Sequence, residues 1–270
     1  MKYKVYKPVN ELVDIVHKYF VVDSIETMDA ILCLPNGGNF LVFNRGLQGY
    51  HKLHTGKKFL IPGNFFLTVK TRKARQVFLD LKKATYPIIC VELHPIGYYK
   101  LFNKDSHHLN KDNIELDADI VNRYFPNLYK NATIEDEIEY LNSRMLLLYH
   151  SHGHERENIE NILDKIKNEY HFEVSVEKLA EDFNCSRKTM ERQFKKIIGI
   201  TPKNYIYIQK FCQTFLSYMK DGKSLQQMEY LYNDSSHFNA VFKNITGVTP
   251  SDLYKDVVVN KNITIYQMLE

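Results

Sequence analysis

The chain has 270 residues, 44% of them hydrophobic, and a formal net charge of +4, enough for two domains or one large one with a real core. That composition argues against disorder along most of its length. Its four cysteines (Cys33, Cys90, Cys185, Cys212) form no CxxC pair, which argues against a disulfide framework or a structural zinc site. No apolar run approaches the roughly 18 residues of a membrane span, and no apolar segment follows Met1-Lys2-Tyr3-Lys4, so a reduced, cytoplasmic chain with no membrane partner is expected.

Residues 1–105 read mostly as strand. Short runs rich in Val, Ile, Phe and Tyr (Ala30–Leu34, Phe40–Phe43, Phe65–Val69, Ile88–Leu93) alternate with turn signals such as Pro35-Asn36-Gly37-Gly38-Asn39 and Pro62-Gly63-Asn64. Strands at this spacing predict a β-rich, barrel-like or sandwich domain over about 1–130. Over 131–169 the period changes. Ile134, Ile138, Leu141, Met145 and Leu148 mark one helical face, and Ile159, Ile162, Leu163 and Ile166 mark a second, which predicts a helical connector.

Residues 170–256 read as all helix. Val176, Leu179, Ala180 and Phe183 make one apolar stripe behind a capping Ser175. After the turn Phe183-Asn184-Cys185, Ser186 caps a second helix with Met190, Phe194, Ile197 and Ile198 inward, ended by Gly199. Pro202 opens a long helix with the stripe Ile208, Phe211, Cys212, Phe215, Leu216 and Met219. Leu225 and Met228, then Phe238, Val241, Phe242 and Ile245, mark two more helices, the last ended by Gly247. The tail, 257–270, is strand-like around Val257–Val259 and Ile263–Ile265 and has no functional reading. The fold class expected is therefore α+β.

Phe194-Lys195-Lys196-Ile197-Ile198-Gly199-Ile200-Thr201-Pro202 returns 48 residues later as Phe242-Lys243-Asn244-Ile245-Thr246-Gly247-Val248-Thr249-Pro250, with six of nine positions identical. Such a repeat marks one supersecondary unit used twice. Each copy follows a Ser/Asp-rich turn, the layout of tandem helix-turn-helix units. Ser186–Lys210 holds seven cations and one acid, a surplus of six that exceeds the whole chain's. At 100° per residue, Lys188, Arg192 and Lys195 fall opposite Met190, Phe194 and Ile197. A packed inner face and a cationic outer face behind a capped N-terminus suit insertion into a major groove of double-stranded DNA.

Residues 170–255, about a third of the chain, resemble the C-terminal DNA-binding domain of AraC/XylS-type bacterial transcription regulators. The likeness rests on Leu179–Lys195, on Gly199-Ile200-Thr201-Pro202-Lys203-Asn204-Tyr205, and on Asp234-Ser235-Ser236-His237-Phe238, Phe242-Lys243 and Gly247-Val248-Thr249-Pro250. It implies two helix-turn-helix subdomains joined by the helix that begins at Pro202. By motif position, base contacts fall to Lys188, Glu191 and Arg192, with Arg187 and Thr189 near the backbone, and Lys195 and Lys196 at phosphates. In the second unit the resemblance gives DNA contact to Ser235, Ser236, His237 and Asn239, with Lys243 as a phosphate contact, but the outward positions Ser235, His237, Asn239 and Ala240 are poor in charge. Its opening helix, Ser224–Tyr230, looks about two residues short, and Leu231 stands where a turn glycine is expected, so the first unit should carry most of the specificity.

Leu34–Phe43 and Val91–Phe102 resemble pieces of the β-rich, cupin-like domain that precedes this DNA-binding domain in one branch of the family. By that likeness the β half senses a ligand, mediates dimerisation, or both, so a homodimer, a small-molecule effector and RNA polymerase are the partners expected beyond operator DNA, with activator and repressor both left open. No P-loop, nucleophile elbow or paired-carboxylate motif is present, so neither enzyme activity nor a cofactor is expected. Two alternatives stay open: a metal-dependent enzyme in the β half, and a β half that binds a partner protein. The alternating histidines of His150-Ser151-His152-Gly153-His154-Glu155 could chelate, but they lie between two predicted helices and read as a polar exposed loop, and His51-Lys52-Leu53-His54 lacks the tight His-x-His plus Glu of a cupin-like metal site, so no metal is expected. The basic run Lys70–Arg75 reads as a solvated segment, with an anionic effector or extra phosphates as its alternatives.

Overall fold

β-Branched and aromatic side chains suit a pleated, half-buried surface, and the N-terminal runs form strands as expected. The computed structural model describes residues 2–24, 30–44, 48–53, 58–60, 63–68, 73–80, 87–110, 114–115, 118–152, 158–221, 234–260 and 263–266. The strands are β1 (Lys2–Tyr6), β2 (Val16–Ser24), β3 (Ala30–Cys33), β4 (Asn39–Phe43), β5 (Gln48–Leu53), β6 (Lys58–Leu60), β7 (Phe65–Thr68), β8 (Arg75–Asp80), β9 (Ile88–Leu93), β10 (Ile114–Glu115) and β11 (Ile263–Ile265). They form two sheets, ordered β1-β2-β9-β4-β7-β10 and β11-β3-β8-β5-β6. The β half is thus a pair of facing sheets rather than a barrel closed on itself.

The first sheet is covered on both sides, and the period-2 alternation shows how. Tyr19, Val21, Leu41, Phe43, Ile89 and Val91 point outward into one core. Their neighbours Phe20, Val22, Phe40, Val42 and Ile88 point inward and meet Ile31, Cys33 and Val77 of the second sheet. Two-sided burial explains why β4 reads as a continuous apolar run.

The helices are α1 (Gly97–Phe102), α2 (Ala118–Tyr124), α3 (Ile134–Ser151), α4 (Asn158–Asn168), α5 (Val176–Asp182), α6 (Arg187–Ile197), α7 (Pro202–Asp221), α8 (Ser235–Thr246) and α9 (Pro250–Tyr254). Thr133 and Asp136 close a capping box at the start of α3. Ile138, Leu141, Met145 and Leu148 of α3 pack on the outer face of the first sheet, where the Tyr19 hydroxyl donates to Asn142 Oδ1 at 2.7 Å. Ile159, Ile162 and Ile166 of α4 join the core of α5 and α6 instead. The strand expected at Val257–Val259 is a π-helical turn, Lys255–Val259, because the chain runs on from α9 with the Asn260 amide donating to the Lys255 carbonyl at 2.9 Å. Ile263–Ile265 is a strand as expected, parallel to β3.

Glu92 lies among the inward-facing positions of β9, 5% exposed, and accepts from Asn36 Nδ2 at 2.8 Å. Burial pushes its pKa up against the opposing pull of His17 and Lys18. A carboxyl raised on folding stabilises fully below its ordinary value, and that contribution is lost as pH rises through the raised value. Glu92→Gln keeps an acceptor for Asn36 and removes the buried charge. The variant is expected to melt above the parent at pH 8, and an unchanged or lower midpoint there would contradict the assignment.

Candidate nucleic-acid interface

Local chemistry builds the first helix-turn-helix. Ser175 caps α5 by accepting from the Lys178 amide, and Asn184, at φ 49°, makes the left-handed turn that asparagine tolerates better than most residues. Ser186 then caps α6, its hydroxyl accepting from the Thr189 amide at 3.1 Å. Asp182, at the end of α5, meets Lys178 at 2.9 Å and Lys165 at 3.1 Å, and it accepts from the Tyr170 hydroxyl. These partners hold its carboxyl well below the usual carboxylate range and tie α4 to α5.

Met190, Phe194 and Ile197 of α6 are buried, while Ser186, Arg187, Lys188, Arg192, Lys195 and Lys196 are exposed and Thr189 and Glu191 half-buried. The outward cations are not equivalent. Arg187 is gripped by Glu177 Oε1 at 2.6 Å and Glu191 Oε1 at 3.0 Å, so Arg187 and Glu191 occupy each other. Lys196 turns toward the N-terminal half, its ammonium 5.6 Å from the centre of the Tyr99 ring. Lys188, Arg192 and Lys195 make no ion pair among the described residues.

The second unit repeats the design. Asp234 caps α8 by accepting from the His237 amide at 2.6 Å, Phe238, Phe242 and Ile245 are buried, and Ser235, Ser236, His237, Asn239 and Lys243 are exposed. The Gly-x-Thr-Pro ending does the same work in both copies. Gly199 and Gly247 take positive φ (96° and 86°), Thr201 and Thr249 cap the next helix, and Pro202 and Pro250 occupy its first position. Residues 224–230 and Leu231, singled out in the second unit's opening helix and turn, lie outside the described residues.

The helix α7 joins the units. Its 20 residues span about 30 Å at 1.5 Å each. Tyr205, Ile206 and Ile208 belong to the core of the first unit, and Phe211, Cys212, Phe215, Tyr218 and Met219 to that of the second. The N-terminal half grips the C-terminal ends of α6 and α8 at repeat-equivalent carbonyls. Ser106 donates its amide to Lys196 O and its hydroxyl to Ile197 O, both at 2.7 Å. Forty-eight residues on, Lys73 donates to the Asn244 carbonyl and the Ala74 amide donates to Ile245 O at 2.8 Å. Sequence reading missed Ser106, because nothing in the local pattern around a serine announces a partner 91 residues away. Within the basic run 70–75, Lys73 is spent on this grip; residues 70–72 lie outside the described residues.

Residues 179–256 match the family model described as "Helix-turn-helix domain". The chain is 29% identical over 104 residues to the HTH-type transcriptional activator RhaS of Mannheimia succiniciproducens, covering 38% of this chain and 39% of the relative. To the RhaS of Yersinia pestis (strain Pestoides F) it is 31% identical over 94 residues, 34% of each chain. The chain thus spans well under half the length of the curated relatives it matches. A crystal structure of ToxT from Vibrio cholerae, with an unsaturated fatty acid bound, aligns over 94% of this chain and 95% of that one at 12% identity, with a TM-score of 0.45. On the matched model, the twinned capped helices and the relatives, the C-terminal region of this chain is a tandem helix-turn-helix domain, similar to that of the RhaS activators.

Proposed function

We propose that the chain is a sequence-specific DNA-binding transcription regulator of the AraC type, controlled by a signal received in its N-terminal half. One observation carries the reading. The capped helix α6 presents Lys188 and Arg192 outward, without an ion pair among the described residues, and its counterpart α8 presents Ser235, His237 and Asn239 from an equivalent cap. Lys188 and Arg192 are the readers of base edges, while Lys195 and Lys243 meet phosphates. Arg187 is exposed and Glu191 half-buried, so water already screens their pair and opening it against DNA costs little. The named activity of the curated relatives, transcriptional activation, supports an activator in particular.

Support for a signal comes from a cavity of about 430 Å³ lined by both halves, among them His94, Lys100, Glu160, Asp164 and Tyr205. A polar small molecule is the effector class that fits these walls. Selection of bound fragments from the host genome tests the whole reading: a recurrent motif supports it, and no preference over random duplex overturns it. Arg192→Ala is then expected to cost roughly 1–3 kcal/mol at one base position of that motif. Equal losses on unrelated duplexes would remove Arg192 from base reading.

A further inference from the structure

Beyond the second helix-turn-helix the chain returns to the N-terminal half. After α9 and the π-helical turn, Ile263–Ile265 adds to the edge of the second sheet, pairing in parallel with Ala30, Ile31 and Leu32. The next residue, Tyr266, enters the space between the two sheets and is 3% exposed. Its ring meets Phe40 at 4.8 Å and Phe20 at 5.1 Å, nearly edge-on to both, with the Lys18 ammonium 5.0 Å from its centre. A void of about 40 Å³ remains around it, walled by Val22, Ile31, Val42 and Val77 among others.

Three features separate Tyr266 from an ordinary core residue. It is delivered by a terminal segment as an added strand, the way extended peptides dock onto sheet edges. The surrounding core is left with a void, where interiors normally close-pack. Its hydroxyl is buried and, among the described residues, makes no hydrogen bond of normal geometry, an arrangement that buried polar groups rarely keep. The charged group acting on that hydroxyl is Glu92. Glu92 accepts from Asn36, whose carbonyl in turn accepts from Gln209 Nε2 of α7 at 2.6 Å. The buried Glu92 carboxyl is therefore two hydrogen bonds from α7, the helix that joins the two helix-turn-helix units.

We propose that Tyr266 is a tethered occupant of a ligand site: the space between the sheets accepts a single-ring aromatic compound bearing a hydrogen-bond donor, which enters by displacing Tyr266. Displacement releases β11 from β3 and with it a tie between the second helix-turn-helix and the sheet. As regulation this rests on the N-terminal half receiving a signal; as a binding site it stands on the cavity alone.

The probe is p-cresol, the tyrosine side chain without its backbone, used on the full chain. Tyr266→Ala is expected to melt below the parent and to be raised in a dose-dependent way by p-cresol, as cavities of this kind accept matching rings. The parent should bind p-cresol at least about tenfold more weakly, because its own tail competes for the site. Toluene, which lacks the donor, should bind the variant more weakly than p-cresol does. In the parent, saturating p-cresol should speed amide deuterium exchange at residues 263–265. Equal p-cresol affinity for parent and variant, or a folded variant that ignores p-cresol, overturns the proposal. Should Tyr266→Ala not fold, exchange in the parent decides: faster exchange at 263–265 supports displacement and unchanged exchange overturns it. None of these readouts involves DNA, so loss of the regulator reading in the genomic selection would leave the site standing, and the reverse.

Discussion

Gly199→Ala is expected to destabilise the chain by about 2–4 kcal/mol, more than any single change on the outward face of α6. Two effects add. Gly199 sits at φ 96°, where an L side chain is strained at roughly 1–2 kcal/mol. A β-carbon there would stand 2.5 Å from the Ser106 carbonyl oxygen, a backbone atom that cannot swing aside. Ser106 is fully buried and held by its two hydrogen bonds to Lys196 and Ile197, so retreat would break the grip on the first recognition helix. Ser106→Ala removes only the hydroxyl bond and should cost about 1 kcal/mol. Urea unfolding of both variants checks the order. If Gly199→Ala proves as stable as the parent, the close approach of α6 to the N-terminal half is wrong.

Acid should weaken the chain through His94. Burial first, and then the neighbouring His17, depress its pKa from 6.5 to about 4, and the two rings lie 5.3 Å apart, edge to face. An imidazole depressed on folding is neutral in the folded chain while the unfolded chain takes up a proton. Its stabilising contribution is therefore complete above pH 6.5 and is lost as pH falls to about 4. At about 1.4 kcal/mol per unit, the full loss is on the order of 3 kcal/mol. Glu92 slopes the opposite way, so the pair should be separated by variants. His94→Gln is expected to flatten the decline between pH 6.5 and 4 in denaturant melts, and an undiminished decline would assign it to other groups. Because His94 lines the cavity shared by both halves, its protonation also adds charge beside Lys100 and Lys167.

Much of the helix-turn-helix half was legible because its signals are local. A serine before an amphipathic run, a glycine after it, and Thr-Pro opening the next helix act within one turn of chain, and all three recur in both units. The face of α6 followed from residue spacing alone, and Met190, Phe194 and Ile197 are indeed its buried side. What spacing could not rank was the outward face. Arg187, Glu191 and Lys196 carry the same sequence signature as Lys188 and Arg192, yet Glu177 and Tyr99 engage Arg187 and Lys196. Those partners lie 10 and 97 residues away along the chain.

The tail shows the boundary most sharply. Its β-branched residues allow either a helical continuation or a strand. Continuity with α9 decided the first stretch, Lys255–Val259, and pairing with β3 decided the second, Ile263–Ile265. By itself the sequence determined the strand-rich and helical halves, the doubled unit and its capped, cationic helix, since propensity, capping and periodicity are short-range. Only the tertiary structure decided that Ser106 and Lys73 hold equivalent carbonyls of the two units, that Asn36 bridges Glu92 to Gln209, and that Tyr266 lies between the sheets. Each of these joins groups distant in sequence, and their proximity comes from packing shared cores rather than from any local preference.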